Sequence, residues 1–266
     1  MDKLPEKRIS EFLDLASSLA ISAGKIQLDR IGNAGKITYK GNINLVTEVD
    51  IKCEKEIVDG LASSFPDHDI LGEEGVGKRR ESDFRWIVDP LDGTVNFAHQ
   101  FPFFGVSIGL EYKGTMVCGV VYAPIRDELF RAGKGMGTTL NGSPVKVSDN
   151  KKLKESLLAT GFAYNVQDHG VPDNLDHFKN FLKTALAVRR PGAAAVDLAY
   201  VACGRLDGFW ELFLKPWDMA AGIILIQEAG GRVSTFDGSE FDLYGSEVLV
   251  SNSKIHEEMI FVLHSR

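Results

Sequence analysis

Cysteine is scarce in this chain of 266 residues, which has only Cys53, Cys118 and Cys203. They are odd in number, far apart and form no Cys-x-x-Cys pair, which argues against a disulfide framework and a zinc knuckle. They read as buried thiols in a reducing compartment. Long apolar runs are missing too, so no transmembrane helix is expected. The start, Met1-Asp2-Lys3-Leu4-Pro5-Glu6, has no apolar h-region, so no signal peptide is expected and the default location is cytoplasmic. Basic charge is in deficit: 30 Lys and Arg stand against 37 Asp and Glu, a formal net charge of −7. A non-specific nucleic-acid binder needs a basic face, so direct nucleic-acid binding is not expected. The six histidines are scattered and never pair at ligand spacing. There is no internal repeat and no low-complexity tract.

What is present is ordinary for a globular protein: 44% hydrophobic and 25% charged residues. The length fits one large α/β domain or two closely packed halves. Pro5 followed by Ile9, Phe12, Leu13, Leu15, Ala16, Leu19, Ala20 and Ala23 predicts an amphipathic first helix. Residues 36–44 read as a loop or hairpin. Thr47 with Asp50 three residues on forms a capping box for a helix to about Ser64. Ile70-Leu71-Gly72 predicts a short strand delivering Glu73 and Glu74 to its end. Trp86-Ile87-Val88 predicts a buried strand stopped by Asp89-Pro90. Hairpin-linked strands follow around Lys113-Gly114 and Asn141-Gly142. A polar run at 148–152 marks a boundary. Beyond it, strands near 157–159, 185–188, 207–211 and 248–250 alternate with helices over 175–183, 193–203 and 219–229. Asp218 is expected to open the last of these, and Ser253 to cap a final helix. The interleaving predicts a layered α/β (α+β) sandwich.

The chemistry is carried by acids at predicted strand ends. Asp89 and Asp92 flank Pro90-Leu91 after an apolar strand. Carboxylates gathered there repel one another unless cations lie between them, and oxygen-only ligands suit Mg²⁺, Mn²⁺ or Ca²⁺. Gly93 lets the backbone approach a ligand, and Thr94 stands where a new helical turn begins, its N–H groups free for an anion. Each piece alone has a plainer reading. Asp-x-x-Asp-Gly-Thr also fits a capped β-turn, Glu73-Glu74 a solvated turn, and Asp218 a simple N-cap.

Taken together, the pieces match a known pattern. Residues 86–97, Trp-Ile-Val-Asp-Pro-Leu-Asp-Gly-Thr-Val-Asn-Phe, resemble the first signature of the inositol monophosphatase family. Residues 215–222, Lys-Pro-Trp-Asp-Met-Ala-Ala-Gly, resemble its second. Gly72-Glu73-Glu74 and Val46-Thr47-Glu48-Val49-Asp50 match its supporting motifs, in the family's order along nearly the whole chain. The resemblance implies the sandwich shared with fructose-1,6-bisphosphatase. It also implies a Mg²⁺-dependent phosphomonoesterase acting on myo-inositol 1-phosphate or a similar small phosphate ester. Two or three Mg²⁺ ions are implied, with Mn²⁺ as a substitute and Ca²⁺ or Li⁺ inhibitory. Glu73, Asp89 and the Leu91 carbonyl would hold the first metal, and Asp89, Asp92 and Asp218 the second. Asp50, Glu73 and Thr94 would be catalytic, orienting and deprotonating water for in-line attack without a phosphoenzyme. Glu74 would support. Substrate contacts would come from Leu91, Asp92, Gly93, Thr94, Arg189, Gly192, Ala193, Ala194, Glu211 and Asp218. Residues 1–150 would carry most metal ligands; residues 151–266 would supply Asp218 and the substrate contacts, the two making one catalytic unit. A homodimer and a small phosphorylated polyol or sugar as partner are implied.

Several other signals are set aside. Gly105-Val106-Ser107-Ile108-Gly109 fits a hydrolase elbow, but its serine lies inside an apolar strand, with no helix following. Gly72 to Arg79 nearly fits a P-loop, but Arg79 replaces the Ser or Thr. Asp89 and Asp92 are one residue too far apart for an aspartyl-phosphate nucleophile. His99 reads as a surface residue, and Lys40 and Asn42 as a solvated turn. Fructose-1,6-bisphosphatase activity remains an alternative, since Arg189, Arg190 and Lys215 offer cations for a second phosphate. A regulatory partner of the transcription machinery is the alternative from another class.

Overall fold

A computed structural model of the chain describes residues 4–35, 37–40, 44–75, 77, 81–163 and 173–265. Helix α1 (Glu6–Arg30) buries Ile9, Phe12, Leu13, Ala16, Leu19, Ala20 and Ala23, the three-and-four spacing of one helical face. Strands β1 (Ile37–Lys40) and β2 (Asn44–Thr47) form an antiparallel hairpin. Its tip with Asn42, the Lys40 side chain, and Arg79 lie outside the described residues. Helix α2 (Glu48–Ser64) opens on the expected capping box: Thr47 Oγ1 accepts from the Val49 amide, and the Asp50 carboxylate accepts from the Thr47 amide.

Seven strands then build one sheet in the order β3 to β9: β3 (Asp69–Gly72), β4 (Phe84–Asp92), β5 (Gly105–Tyr112), β6 (Thr115–Ala123), β7 (Glu128–Gly133), β8 (Gly137–Leu140) and β9 (Ser143–Val145). A short helix, α3 (Thr94–Ala98), interrupts between β4 and β5. The rest of the chain is β10 (Leu157–Thr160), α4 (Leu175–Thr184), β11 (Ala187–Arg189), α5 (Ala194–Ala202), β12 (Gly208–Leu212), α6 (Pro216–Glu228), β13 (Arg232–Ser234), β14 (Glu247–Ser251) and α7 (His256–Leu263). Its strands form a second, mixed sheet ordered β11-β10-β12-β14-β13. The polar run 148–152 lies between β9 and β10, where the chain leaves one sheet for the other.

The layers stack helix, sheet, helix, sheet, helix. Helices α1 and α2 cover one face of the large sheet; α5 and α6 lie between the sheets; α4 and α7 cover the far face of the small one. Each junction is a separate apolar core. Helix α6 sits very close to the large sheet. A Cβ on Gly119 would lie 2.8 Å from the Ala221 Cα, and one on Gly109 2.9 Å from the Ala220 Cβ. That close seat fixes where the first turn of α6 ends up.

Three local expectations are corrected. Strand β4 does not stop at Asp89-Pro90 but continues to Asp92. Its partner β3 ends opposite Val88, so Pro90 needs no N–H on that side. Pairing to β5 slips between Asp89 and Asp92, a bulge that re-aims the side chains. Asp218 is the third residue of α6, with Lys215 as N-cap and Pro216 first. Ser253 does not cap α7: it holds a left-handed φ of 68° and donates to the Gly230 carbonyl, while the helix starts at His256. Strand β13 was not expected, because three residues after Gly230-Gly231 are too few to show alternation.

The three cysteines are free, and burial pushes the Cys53 thiol up to about 12. Ser107 is buried within β5, its hydroxyl donating to the Trp217 carbonyl at 3.1 Å, so it serves to pin α6 and is no exposed nucleophile. No helix of the described residues is long and apolar enough to cross a membrane.

Candidate active site

Strands β3 and β4 are parallel, and β3 ends opposite Val88, one residue before Asp89. The Glu73 amide donates to the Val88 carbonyl at 3.3 Å, which brings Glu73 beside Asp89. The Asp89 carboxylate accepts from the Leu91 amide at 2.9 Å, closing the bulge into a tight loop. Asp218 arrives from the first turn of α6, where its other role is local: it accepts from the Lys215 amide at 2.7 Å. Asp89, Asp92 and Asp218 each offer an oxygen within 4.8 Å of the others, the one such grouping among the described residues.

Their electrostatics explain what this grouping is for. Asp89 is 1% and Asp92 6% exposed. Burial, and then the charges of Glu73, Asp92 and Asp218, hold the Asp89 carboxyl well above the usual carboxylate range. Burial and the Asp218 charge push Asp92 up to about 7, although the amides of Ala195 and Ala194 donate to it at 2.8 and 3.1 Å. Burial raises Asp218 to about 6 against the bond from Lys215. Buried like charges resist ionising together, and a divalent cation removes the conflict. The donor set is all oxygen and no His or Cys joins it, so the residues fit a hard cation such as Mg²⁺.

The second part of the site lies beside Leu91. The Thr94 hydroxyl lies 2.9 Å from Asp50 Oδ1 and 3.1 Å from the Leu91 carbonyl. Asp50 is fully buried, and burial raises its carboxyl while the bonds from Thr47 and Thr94 oppose the rise. Gly93 has φ 87°, and a Cβ there would come within 3.1 Å of both Ala193 and the Phe103 carbonyl, so only glycine fits this turn. Behind Glu73, the Glu74 amide donates to the buried Glu54 at 2.7 Å, which steadies the acidic turn.

Two adjoining cavities meet at this cluster. One, about 380 Å³, holds Glu73, Asp89, Leu91 and Thr94. The other, about 390 Å³, is walled by Gly192, Ala193, Ala194, Arg190 and Asp197. Asp92, Gly93, Glu211 and Asp218 line both, so one leads into the other. Glu211 lies against Gly161, where a Cβ would sit 2.3 Å from its carboxylate oxygens.

Of the residues singled out in the sequence, Asp50 reaches the cavities only through Thr94, Glu74 stands behind Glu73, and Arg189 lies apart. Arg189 ends β11 exposed, its guanidinium donating to the Val188 carbonyl, and it lines neither cavity. Arg190 takes the place beside Glu211. His99 is exposed at the end of α3. Sequence reasoning overlooked Asp197, though a lone acid in the apolar run of residues 193–202 was a visible signal. It overlooked Asn96 as well, whose amide donates to the Phe103 and Pro191 carbonyls at 2.7 and 2.8 Å and so ties α3 to the Gly192 loop. Nothing local in the sequence announces that bridge.

A layered sandwich with carboxylates gathered at a sheet end, beside the Gly93 turn and two adjoining cavities, fits a phosphatase. The chain belongs to the Inositol monophosphatase family, whose sequence pattern matches residues 8–265. It is 44% identical to an inositol-1-monophosphatase of Synechocystis sp., over 94% of this chain and 88% of that one. It is 43% identical to the Nus factor SuhB of Pseudomonas aeruginosa, over 93% and 94% respectively. The solved inositol monophosphatase of Anabaena (Nostoc) sp. superimposes with a TM-score of 0.88 at 40% identity, covering 96% of each chain. An IMPase/NADP phosphatase solved with Mg²⁺ and phosphate superimposes with a TM-score of 0.85 at 25% identity, covering 97% of each.

Proposed function

We propose that the chain hydrolyses myo-inositol 1-phosphate, or a similar small polyol phosphate, to the alcohol and phosphate in a Mg²⁺-dependent reaction. The observation that carries this is the Asp89, Asp92 and Asp218 cluster, two buried carboxylates and a half-buried one that need a cation to be charged together. A structural neighbour solved with Mg²⁺ and phosphate supports the choice of ion. Glu73, Asp89, the Leu91 carbonyl, Asp92 and Asp218 would hold two or three ions. Bound there, Mg²⁺ supplies charge neutralisation at the phosphoryl group and acidifies water.

The chain's own residues do the rest. The Thr94 hydroxyl, 2.9 Å from Asp50, positions a water in line with phosphorus, and Asp50 takes its proton through Thr94. The amides of Gly93 and Thr94 orient the phosphate. Asp92, fixed by the Ala194 and Ala195 amides, faces the departing alcohol oxygen. Gly192, Ala193, Ala194 and Glu211 hold the alcohol. In this reading residues 1–150 and 151–266 work as one catalytic unit, and the enzyme acts as a cytoplasmic homodimer, which light scattering on the purified protein tests for the dimer.

A panel of phosphate esters assayed with and without Mg²⁺ tests the activity. Mg²⁺-dependent turnover that favours inositol 1-phosphate is expected; equal rates on fructose 1,6-bisphosphate would make the substrate assignment too narrow. Arg190 in the alcohol chamber is the cation such a bisphosphate would use. A second reading rests on the relative that carries the Nus factor name: a regulatory role beside the transcription machinery. Pull-down from native extract tests it, and absence of any stoichiometric macromolecular partner would count against it.

A further inference from the structure

Helix α5 is apolar along its length apart from Asp197 in its first turns. Asp197 is 1% exposed, and its Oδ1 has no hydrogen-bond partner. Two other buried acids nearby are satisfied within the chain: Asp92 takes two amides, and Asp50 takes Thr47 and Thr94. A buried acceptor left without a donor destabilises a fold, so its presence here calls for a donor from outside the chain. Asp197 lines the alcohol chamber together with Glu211, and Arg190 on the same chamber offsets their charge. The chamber therefore presents two acceptors in one wall, far enough from bulk water for hydrogen bonds there to discriminate strongly.

Resting on the polyol-phosphate reading above, we propose that Asp197 is a specificity-determining residue. Its carboxyl accepts a hydrogen bond from a hydroxyl of the leaving alcohol, beside the one held by Glu211, and so selects polyol phosphates over esters of alcohols without further hydroxyls. The matching chemistry is a vicinal or nearby pair of hydroxyl donors on a small ring or chain. Phenyl phosphate has none and makes use only of the phosphate and metal positions.

The test compares wild type, D197N and D197A in saturating Mg²⁺, on myo-inositol 1-phosphate and on phenyl phosphate. D197A is expected to lower kcat/KM for inositol 1-phosphate about 10- to 100-fold more than for phenyl phosphate. D197N should show a smaller differential, because its amide oxygen still accepts. D197A should melt at or above the wild-type temperature, since it removes the unpartnered buried oxygen. Equal losses on the two esters, or no loss on either, would overturn the assignment. A wild-type preference for the polyol ester that both variants keep overturns this assignment alone. A wild type that turns over phenyl phosphate better than every polyol phosphate removes the polyol reading and this one with it.

Discussion

Lowering the pH from about 8 to about 5 should release Mg²⁺ from this protein far more steeply than ordinary carboxylates allow. Burial holds Asp92 at about 7 and Asp218 at about 6, both up from 3.8. A cation binds the ionised form, so protons compete with it. A carboxyl titrating near 7 is about 90% ionised at pH 8 and about 1% at pH 5, which weakens binding roughly 100-fold. Asp218 contributes roughly a further tenfold if it titrates independently. Because the two are neighbours, the net loss falls between about 100- and 1000-fold, or about 3–4 kcal/mol. Two carboxyls left at 3.8 would weaken by only about 1.1-fold. Isothermal titration of Mg²⁺ into chelator-treated protein at each pH reads this directly. An affinity change under about 5-fold would refute the account of the cluster as buried acids in conflict.

Stability carries the same signature with a definite sign. Between 3.8 and about 7 the folded Asp92 holds a proton that the unfolded chain has lost, so in chelator its contribution falls as pH rises through that window. His68 and His256 run the other way. Burial lowers both from 6.5 to about 4, so their contribution is complete above 6.5 and is lost as pH falls through 4. The difference between melting curves with Mg²⁺ and with chelator isolates the carboxylates from these histidines.

Three further outcomes are expected. T94V keeps the shape of Thr94 but removes the hydroxyl between Asp50 and Leu91, so kcat should fall about 100-fold or more with little change in KM; steady-state kinetics retaining wild-type kcat would contradict the water-positioning role. G119A drives a Cβ to within 2.8 Å of the α6 backbone and should cost about 2–3 kcal/mol in urea denaturation, with a midpoint like wild type showing that α6 can move off the sheet. E54A leaves the Glu74 amide without its acceptor, loosens the Glu73 turn and should weaken Mg²⁺ binding roughly tenfold by calorimetry; unchanged affinity would show that the turn is held by other means.

Much of the site was legible because its pieces are local. Asp89, Asp92, Gly93 and Thr94 lie within six residues, and a strand end plus a turn is enough to group them. The Thr47–Asp50 capping box reads from a spacing of three and then does double duty, since the same Asp50 receives Thr94. The extent of β4 was less legible: a proline reads as a stop, and only the early end of β3 explains why the strand passes through it. Asp218 looked like a helix opener because an acid before an apolar run usually is one. Its place at the third position leaves one oxygen to the Lys215 amide and the carboxyl facing Asp89 and Asp92.

The sequence by itself determined the chemical types and their local geometry: an all-oxygen donor set, a glycine turn for an anion, a capped helix behind it. These follow from neighbours in the chain and from backbone propensities. Tertiary structure decided which distant groups share the space. Helix α6 reaches the cluster because Gly109 and Gly119 let it lie against the sheet. Arg190 faces the chamber and Arg189 does not, because β11 ends at Arg189 and successive side chains of an extended backbone point to opposite sides. Asp197 became visible only once α5 was placed between the two sheets, where its carboxyl meets a cavity and not the solvent.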